Sequence, residues 1–273
     1  MKTDLLSGTG NRTYRVRCGD GNVIVRLPGG DTAELVDRAA ERHNAAVAAG
    51  AGLGPALLHL DPDDGAMVSA EVAGTPLPTL AGARRRAAIG RLGEALSRLH
   101  RGPDFHGLMD PWQKLELYLS IAGHAHPGAE AASGPLWRRL GPLRLSASLA
   151  PGRLVPCHVD PVPDNVIDTG TAVVLVDWEY AAMSEPLWDL SYASIEGSFD
   201  AAEEGALFEG YGTRQIGPER LADWKLAVRT VSAAWCMARA ARAGRDAPKW
   251  RAETVERLAE IAAALDGRAA RRT

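Results

Sequence analysis

The sequence predicts an α+β fold in two unequal parts: a small β-rich part over residues 1–75 and a larger helical part over 76–273. Three observations predict it. β-Branched, alternating runs crowd the first 75 residues around one helical stretch. The spacing of apolar residues turns helical just after "AGTPL" (73–77). The only later β-rich stretch is a short hairpin pattern, "VID-TGT-AVVLVD" (166–177). A chain of 273 residues has room for one large domain or two unequal lobes.

Taken in order, "TYRVRC" (13–18) and "VIVRL" (23–27) read as strands joined by "GDGN", with Asp20–Gly21 as a hairpin turn. "SGTGN" (7–11), just before, is small and permissive. Asp31 and Glu34 have capping-box spacing, which opens a helix over "TAELVDRAAERHNAAVAA" (32–49) that stops at Gly50. "ALLHL" (56–60) and "AMVSAEV" (66–72) read as strands around the turn "DPDDG". Ile89, Leu92, Leu96 and Leu99 make one apolar face of a helix within 79–101. Helices are expected near 112–123, 135–148, 186–196, 217–243 and 249–268, and "HAH" (124–126) as a solvated loop. No internal repeat is visible.

Composition narrows the function. With 46% hydrophobic and 24% charged residues the chain is an ordinary globular protein. A net charge of −3 argues against a nucleic-acid partner. No stretch has the uncharged apolar length of a membrane span, and the N-terminus lacks a signal-type apolar core. Cys18, Cys157 and Cys236 are few and far apart, so neither a disulfide framework nor a zinc site is expected, and a cytoplasmic location is. Lysine is nearly absent, at positions 2, 114, 225 and 249 only.

The chemistry gathers in a few places. "CHVDPVPDN" (157–165) must be a loop, because Pro161 and Pro163 forbid a regular helix or central strand. Within it, His158, Asp160 and Asn165 have the spacing of a phosphotransferase catalytic loop. There an Asp orients a hydroxyl, and an Asn five residues on turns back to a metal. "VVLVDWEYA" (173–181) ends an apolar strand at Asp177, and Mg²⁺ suits one or two carboxylates with phosphate oxygens. Arg26, in "VIVRLP", lies on the opposite face of its strand from Val25 and Leu27. It is the available cation for phosphates where lysine is missing, and its fork holds two oxygens. Glu41 on the following helix would brace it, with Glu34 as a competitor one heptad earlier. Gly8, Thr9, Gly10 and Asn11 precede that strand pair and would let backbone N–H groups approach phosphates. No Walker A lysine follows.

Together these residues resemble the choline kinase/aminoglycoside phosphotransferase superfamily, which has a protein-kinase-like bilobal fold. The resemblance covers nearly the whole chain, from "SGTGNRTYRV" and "VIVRLPG" through "AEVAGTPL" and "CHVDPVPDNVI" to "LVDWEYAAMSEPLWDLSYASIEG". The segment 177–196 and "MDPWQKLELYL" (109–119) look most like bacterial choline (choline/ethanolamine) kinases.

The resemblance implies ATP and Mg²⁺ as cofactors. It makes Asp160 the catalytic carboxylate beside His158, Asn165 and Asp177 the metal ligands, and Arg26 with Glu41 the phosphate clamp. Backbone near Glu71 would meet adenine. Tyr180, Glu196 and Trp235 match positions of the choline-binding wall. The family often has a second Trp where this chain has Ser232, and an Asn where it has Val159. Independently, a quaternary ammonium is recognised by aromatic faces. Trp178, Tyr180, Trp188 and Tyr192 cluster beside Asp177, and Trp178 joins the acceptor candidates. The expected function is transfer of phosphate from ATP to the hydroxyl of choline or a similar amino alcohol. Thiamine, an aminoglycoside or another small molecule is the alternative acceptor, and a non-catalytic nucleotide-binding scaffold the alternative class.

Overall fold

The computed structural model describes residues 3–6, 11–19, 21–29, 36–125, 127–146, 149, 152–213 and 216–270. It has two compact units, Met1–Leu108 with Arg153–Gln215, and Met109–Gly152 with Ile216–Thr273.

The first unit opens with five antiparallel strands: β1 (Thr3–Leu6), β2 (Arg12–Cys18), β3 (Gly21–Leu27), β4 (Leu57–Leu60) and β5 (Met67–Ala70), in the order β1-β2-β3-β5-β4. The expected β2–β3 hairpin forms, but Cys18 pairs with Gly21, so Gly21 opens β3 instead of sitting in the turn expected at Asp20–Gly21. Helix α1 (Arg38–Gly50) follows β3. It starts later than residue 32, because Asp37 is extended and its side chain caps the amides of Ala39 and Ala40 at 3.0 Å each. The capping pair proposed at Asp31 and Glu34 lies outside the described residues.

After β6 (Thr75–Pro76) comes helix α2 (Gly82–Leu99). The face foreseen from Ile89, Leu92, Leu96 and Leu99 is buried. The second half of this unit carries β7 (Val155–Cys157), β8 (Val166–Asp168), β9 (Val173–Leu175), β10 (Ala182–Ser184), α5 (Pro186–Glu196) and α6 (Ala201–Tyr211). β8 and β9 form the expected hairpin and extend to β6, while β7 pairs antiparallel with β10. The α2–α6 contact is backbone on backbone. A Cβ on Gly210 would sit 1.9 Å from the carbonyl oxygen of Gly90, and one on Gly93 2.1 Å from that of Leu207. Only glycine permits that approach.

The second unit consists of α3 (Pro111–Ala125), α4 (Pro127–Arg144), α7 (Pro218–Arg242) and α8 (Ala247–Ala270). α3 runs through His124 and Ala125, so the loop expected at 124–126 is helical over those two residues. Helix α7 packs on α3 and α8, and Cys236, Ala240 and Trp250 form one of its buried clusters. Among the described residues no helix is long and apolar enough to cross a membrane.

Candidate active site

Arg26 is almost completely buried on β3, and its guanidinium is the hub of the site. Nη2 donates to Glu41 and Nη1 donates to Asp177 Oδ1 at 2.9 Å, with Glu179 Oε2 3.7 Å away. Glu41 is available because Asp37 sets the phase of α1, which turns Arg38, Glu41 and Asn44 inward together. Arg38 Nη1 donates to Glu41 Oε2 at 2.7 Å and to Glu179 Oε2 at 3.4 Å. Asn44 spans two loops: its amide donates to the carbonyls of His106 (3.0 Å) and Ala181 (2.7 Å) and accepts the His106 amide (2.8 Å). Asn11 adds a strap. Its Nδ2 donates to Glu179 Oε2 at 3.0 Å, and its Oδ1 accepts from the Gly29 amide at 3.4 Å. Gly8, Thr9 and Gly10, like Glu34, lie outside the described residues.

The 157–165 loop leaves β7 and is held from below by Asp189 on α5, a fully buried carboxylate. Asp189 Oδ2 accepts the His158 amide and Oδ1 the Val159 amide, both at 2.8 Å. Val159 has φ +73°, a left-handed conformation that costs a β-branched residue about 1–2 kcal/mol. The Trp188 indole N–H, donating to the Val159 carbonyl at 2.8 Å, locks the peptide from the other side. Asn tolerates φ > 0 better than Val does, so the strain at this position is particular to the side chain it carries.

Beyond it, Pro163 opens a short 3-10 turn over Pro163–Asn165. The Val162 amide donates to the Asp160 carbonyl and the Asn165 amide to Val162, both at 2.9 Å. The Val176 amide donates to the Asn165 carbonyl at 3.0 Å, so the chain after β9 returns beside Asn165 and delivers Asp177 there. Asp177 itself is left-handed, with φ +65°.

Asp160 is half-buried and accepts a hydrogen bond from Tyr192. Asn165 Nδ2 donates to the Asp160 carbonyl at 3.0 Å and lies 3.4 Å from Asp160 Oδ2. Burial pushes the Asp160 carboxyl well above the usual carboxylate range, and the charges of Asp177, Glu196 and Glu179 add to the rise. Asp177 is raised by burial, which outweighs Arg26. Glu179 is raised by burial first and then by Asp177. Carboxylates outnumber guanidinium groups here, which leaves the site with excess negative charge when they are ionised.

The donor set fits a hard cation. Asn165 donates through Nδ2, which leaves its Oδ1 without a donor among the described residues, and Asp177 keeps a third of its side chain exposed, with only Oδ1 engaged by Arg26.

Other expected residues land elsewhere. His158 is fully buried, with Nε2 3.0 Å from the Val176 carbonyl and its ring 4.5 Å from Trp178. Burial holds its imidazole below the ordinary histidine range, opposed by Asp189. It is placed to shape the loop rather than to touch a substrate. Trp178, expected in the acceptor wall, is instead core: its indole N–H donates to the Leu175 carbonyl at 3.0 Å and its ring meets Phe105 edge-on. Gly54 leaves it room, since a Cβ there would lie 2.9 Å from its Nε1.

Glu71 binds Arg15 (2.5 Å) and Asn22 (2.6 Å) through its side chain, and its amide donates to the Asn22 carbonyl. Tyr180 and Glu196 are half-buried in the same unit as Asp160. Trp235 belongs to the other unit, edge-on to Trp250 at 5.0 Å, and the Arg239 guanidinium lies over both rings at 5.7 and 5.3 Å.

Sequence reasoning gave no site role to Arg38, Glu179 and Asp189, and had Tyr192 only in the aromatic cluster, not as a donor to Asp160. Glu179 had a signal, two positions from Asp177. The others act through helix faces whose orientation only the packing sets.

A glutamate-braced cation on a strand, a strained loop presenting Asp and Asn, and a returning Asp mark the protein-kinase-like class of phosphotransferases. The chain belongs to the phosphotransferase enzyme family, whose sequence pattern matches residues 3–224. A structure of a choline/ethanolamine kinase family protein from Mesorhizobium loti is 29% identical, covering 97% of this chain and 88% of its own, with a TM-score of 0.79. Choline kinase LicA from Streptococcus pneumoniae shares the fold at 22% identity and a TM-score of 0.73, over 95% of this chain and 94% of its own. A thiamine kinase of Salmonella paratyphi A is 30% identical over 124 residues, 45% of this chain and 42% of its own length. The chain thus spans less than half the length of that curated relative.

Proposed function

We propose that the protein is an ATP- and Mg²⁺-dependent kinase of a small alcohol, choline or a similar amino alcohol being the acceptor. The observation that carries the reading is the Asp160–Asn165–Asp177 grouping, fixed by the Asp189 clamp and joined to Arg26 and Glu41. Asn165 and Asp177 would hold Mg²⁺, which when bound neutralises charge on the transferred phosphoryl group.

In this reading Asp160 accepts a hydrogen bond from the acceptor hydroxyl, aligns it for in-line attack on the γ-phosphorus, and takes its proton as the new O–P bond forms and the bond from phosphorus to the β–γ bridging oxygen breaks, releasing ADP. Arg26 offers its charge to phosphate oxygens while Glu41 fixes its orientation. Lobe 1–75 would bind nucleotide, and 76–273 would supply the loop and acceptor site. Tyr180 and Glu196 are the acceptor candidates in the unit that holds Asp160, with an aromatic face and a carboxylate suited to a cation. Trp235 is a weaker one, because Arg239 already covers its ring.

The thiamine kinase likeness favours a second acceptor, another hydroxyethyl-bearing cation. An acceptor panel tests both: ADP release with Mg-ATP across choline, ethanolamine, thiamine, kanamycin and simple sugars. Release that depends on choline and disappears in Asp160→Ala supports the first reading. Release with thiamine alone replaces the acceptor and keeps the loop chemistry, and ATP binding without transfer to any acceptor points to a scaffold.

A further inference from the structure

The Asp189 carboxylate takes a third hydrogen bond besides the two loop amides. His100, the residue that ends α2, places Nε2 3.1 Å from Asp189 Oδ2. Its Nδ1 lies 2.9 Å from the hydroxyl of Tyr211, the last residue of α6. The two rings meet edge-on at 5.4 Å. His100 and Asp189 are buried and Tyr211 is half-buried.

Chemistry assigns the protons along this line. A nitrogen facing a carboxylate that already accepts two amides must carry the hydrogen, so His100 is the Nε2–H tautomer. Its Nδ1 is then an acceptor, and the hydroxyl of Tyr211 is the donor it meets. Burial pushes the Tyr211 phenol up to about 12, which keeps it a donor at neutral pH. The opposite tautomer would turn a lone pair toward Asp189, while the Tyr211 hydroxyl would accept from Nδ1–H.

We propose that Tyr211, outside the candidate active site, is a positioning residue for the catalytic loop: through His100 and Asp189 it holds the amides of His158 and Val159, and hence Asp160. The inference rests on the phosphotransfer reading for its effect on rate, but not for its effect on the loop. Without the Tyr211 hydroxyl, His100 keeps Nε2–H toward Asp189 but loses the partner that holds its ring from the other side, and the Asp189 clamp on the left-handed Val159 weakens.

Tyr211→Phe keeps the ring and deletes only the hydroxyl. The expected result is a roughly tenfold lower kcat with KM for ATP unchanged, in a protein that melts within a few degrees of the original. Combined with His100→Gln, the double variant should be no slower than the slower single one. Ser97→Ala is the control, because Ser97 Oγ donates to the Tyr211 carbonyl at 2.8 Å and touches no part of the loop. It should lower the melting temperature and leave kcat alone.

Nitrogen-15 spectra of His100 and amide exchange at His158 and Val159 report on the same linkage without any turnover. Tyr211→Phe should shift the His100 Nδ1 resonance, which loses its hydrogen bond, and speed exchange of both amides. A wild-type kcat, or unchanged amide exchange at His158 and Val159, overturns the proposal. Should no acceptor be phosphorylated, the functional reading falls, and the spectra and exchange still decide whether Tyr211 holds the loop.

Discussion

In the proposed reading, Asp160 carries opposing demands of stability and chemistry. Its carboxyl is raised by burial and by neighbouring carboxylates, so the folded state binds its proton more tightly than the unfolded chain does. The sign of the linkage follows. Above its folded pKa the ionised group costs stability, and that cost shrinks as pH falls through the folded value toward the ordinary carboxylate range. Asp160→Asn removes the charge at every pH. It should raise the melting temperature at pH 7 by a few degrees, roughly 1 kcal/mol, while lowering turnover about 10²–10⁴-fold. A thermal melt beside a rate assay checks both. Arg26 makes the complementary case. Arg26→Lys keeps the charge but loses the fork that spans Glu41 and Asp177, so KM for ATP should rise about tenfold with kcat less affected, read by steady-state kinetics. These side chains were legible because each pairs a chemical type with a spacing: Asp160 five residues before Asn165, and Arg26 in a strand where lysine is missing. Trp178 was misjudged for the converse reason. Aromatic residues near a site and aromatic residues beneath it look alike in sequence, and only the burial of its indole against Leu175 and Phe105 separates them.

The elements that position the loop are shorter and quieter than the loop itself. β7 and β10 have three residues each, too few for a period, yet their pairing of Cys157 with Ala182 sets where His158 begins. Helix α6 escaped prediction because Gly205 and Gly210 interrupt it, although Asp200 and Glu203 form a capping box and Gly212 ends it left-handed. Gly210 is there for packing, not for a turn. Gly210→Ala would drive a methyl into the Gly90 carbonyl, separate α2 from α6, and cost about 1–3 kcal/mol in a denaturant titration. Since α2 ends in His100 and α6 in Tyr211, the same change should speed amide exchange in the 158–159 segment. By contrast, α1, α2, α5 and the β2–β3 hairpin were legible, having either amphipathic length or turn chemistry. The start of α1 moved because Asp37, rather than an earlier residue, supplies the described cap.

For the whole molecule, the family match over residues 3–224 and the likeness to choline/ethanolamine kinases agree with what the motifs implied. The acceptor is less legible, since it depends on side chains that surround a ligand rather than on any spacing. Arg239 over the rings of Trp235 and Trp250 illustrates it: an aromatic position matched by sequence can carry a cation of the chain's own. The donor set of Asn165 and Asp177 predicts that EDTA abolishes turnover and that Mg²⁺ restores it, with Asp177→Ala beyond rescue at any Mg²⁺ concentration. The most direct test of the central claim follows phosphorus itself. With Mg-ATP and choline, ³¹P spectra of the wild type should show a new phosphomonoester growing in step with ADP, and folded Asp160→Asn protein should show neither. A phosphomonoester formed at the wild-type rate by Asp160→Asn would contradict the role given to this loop.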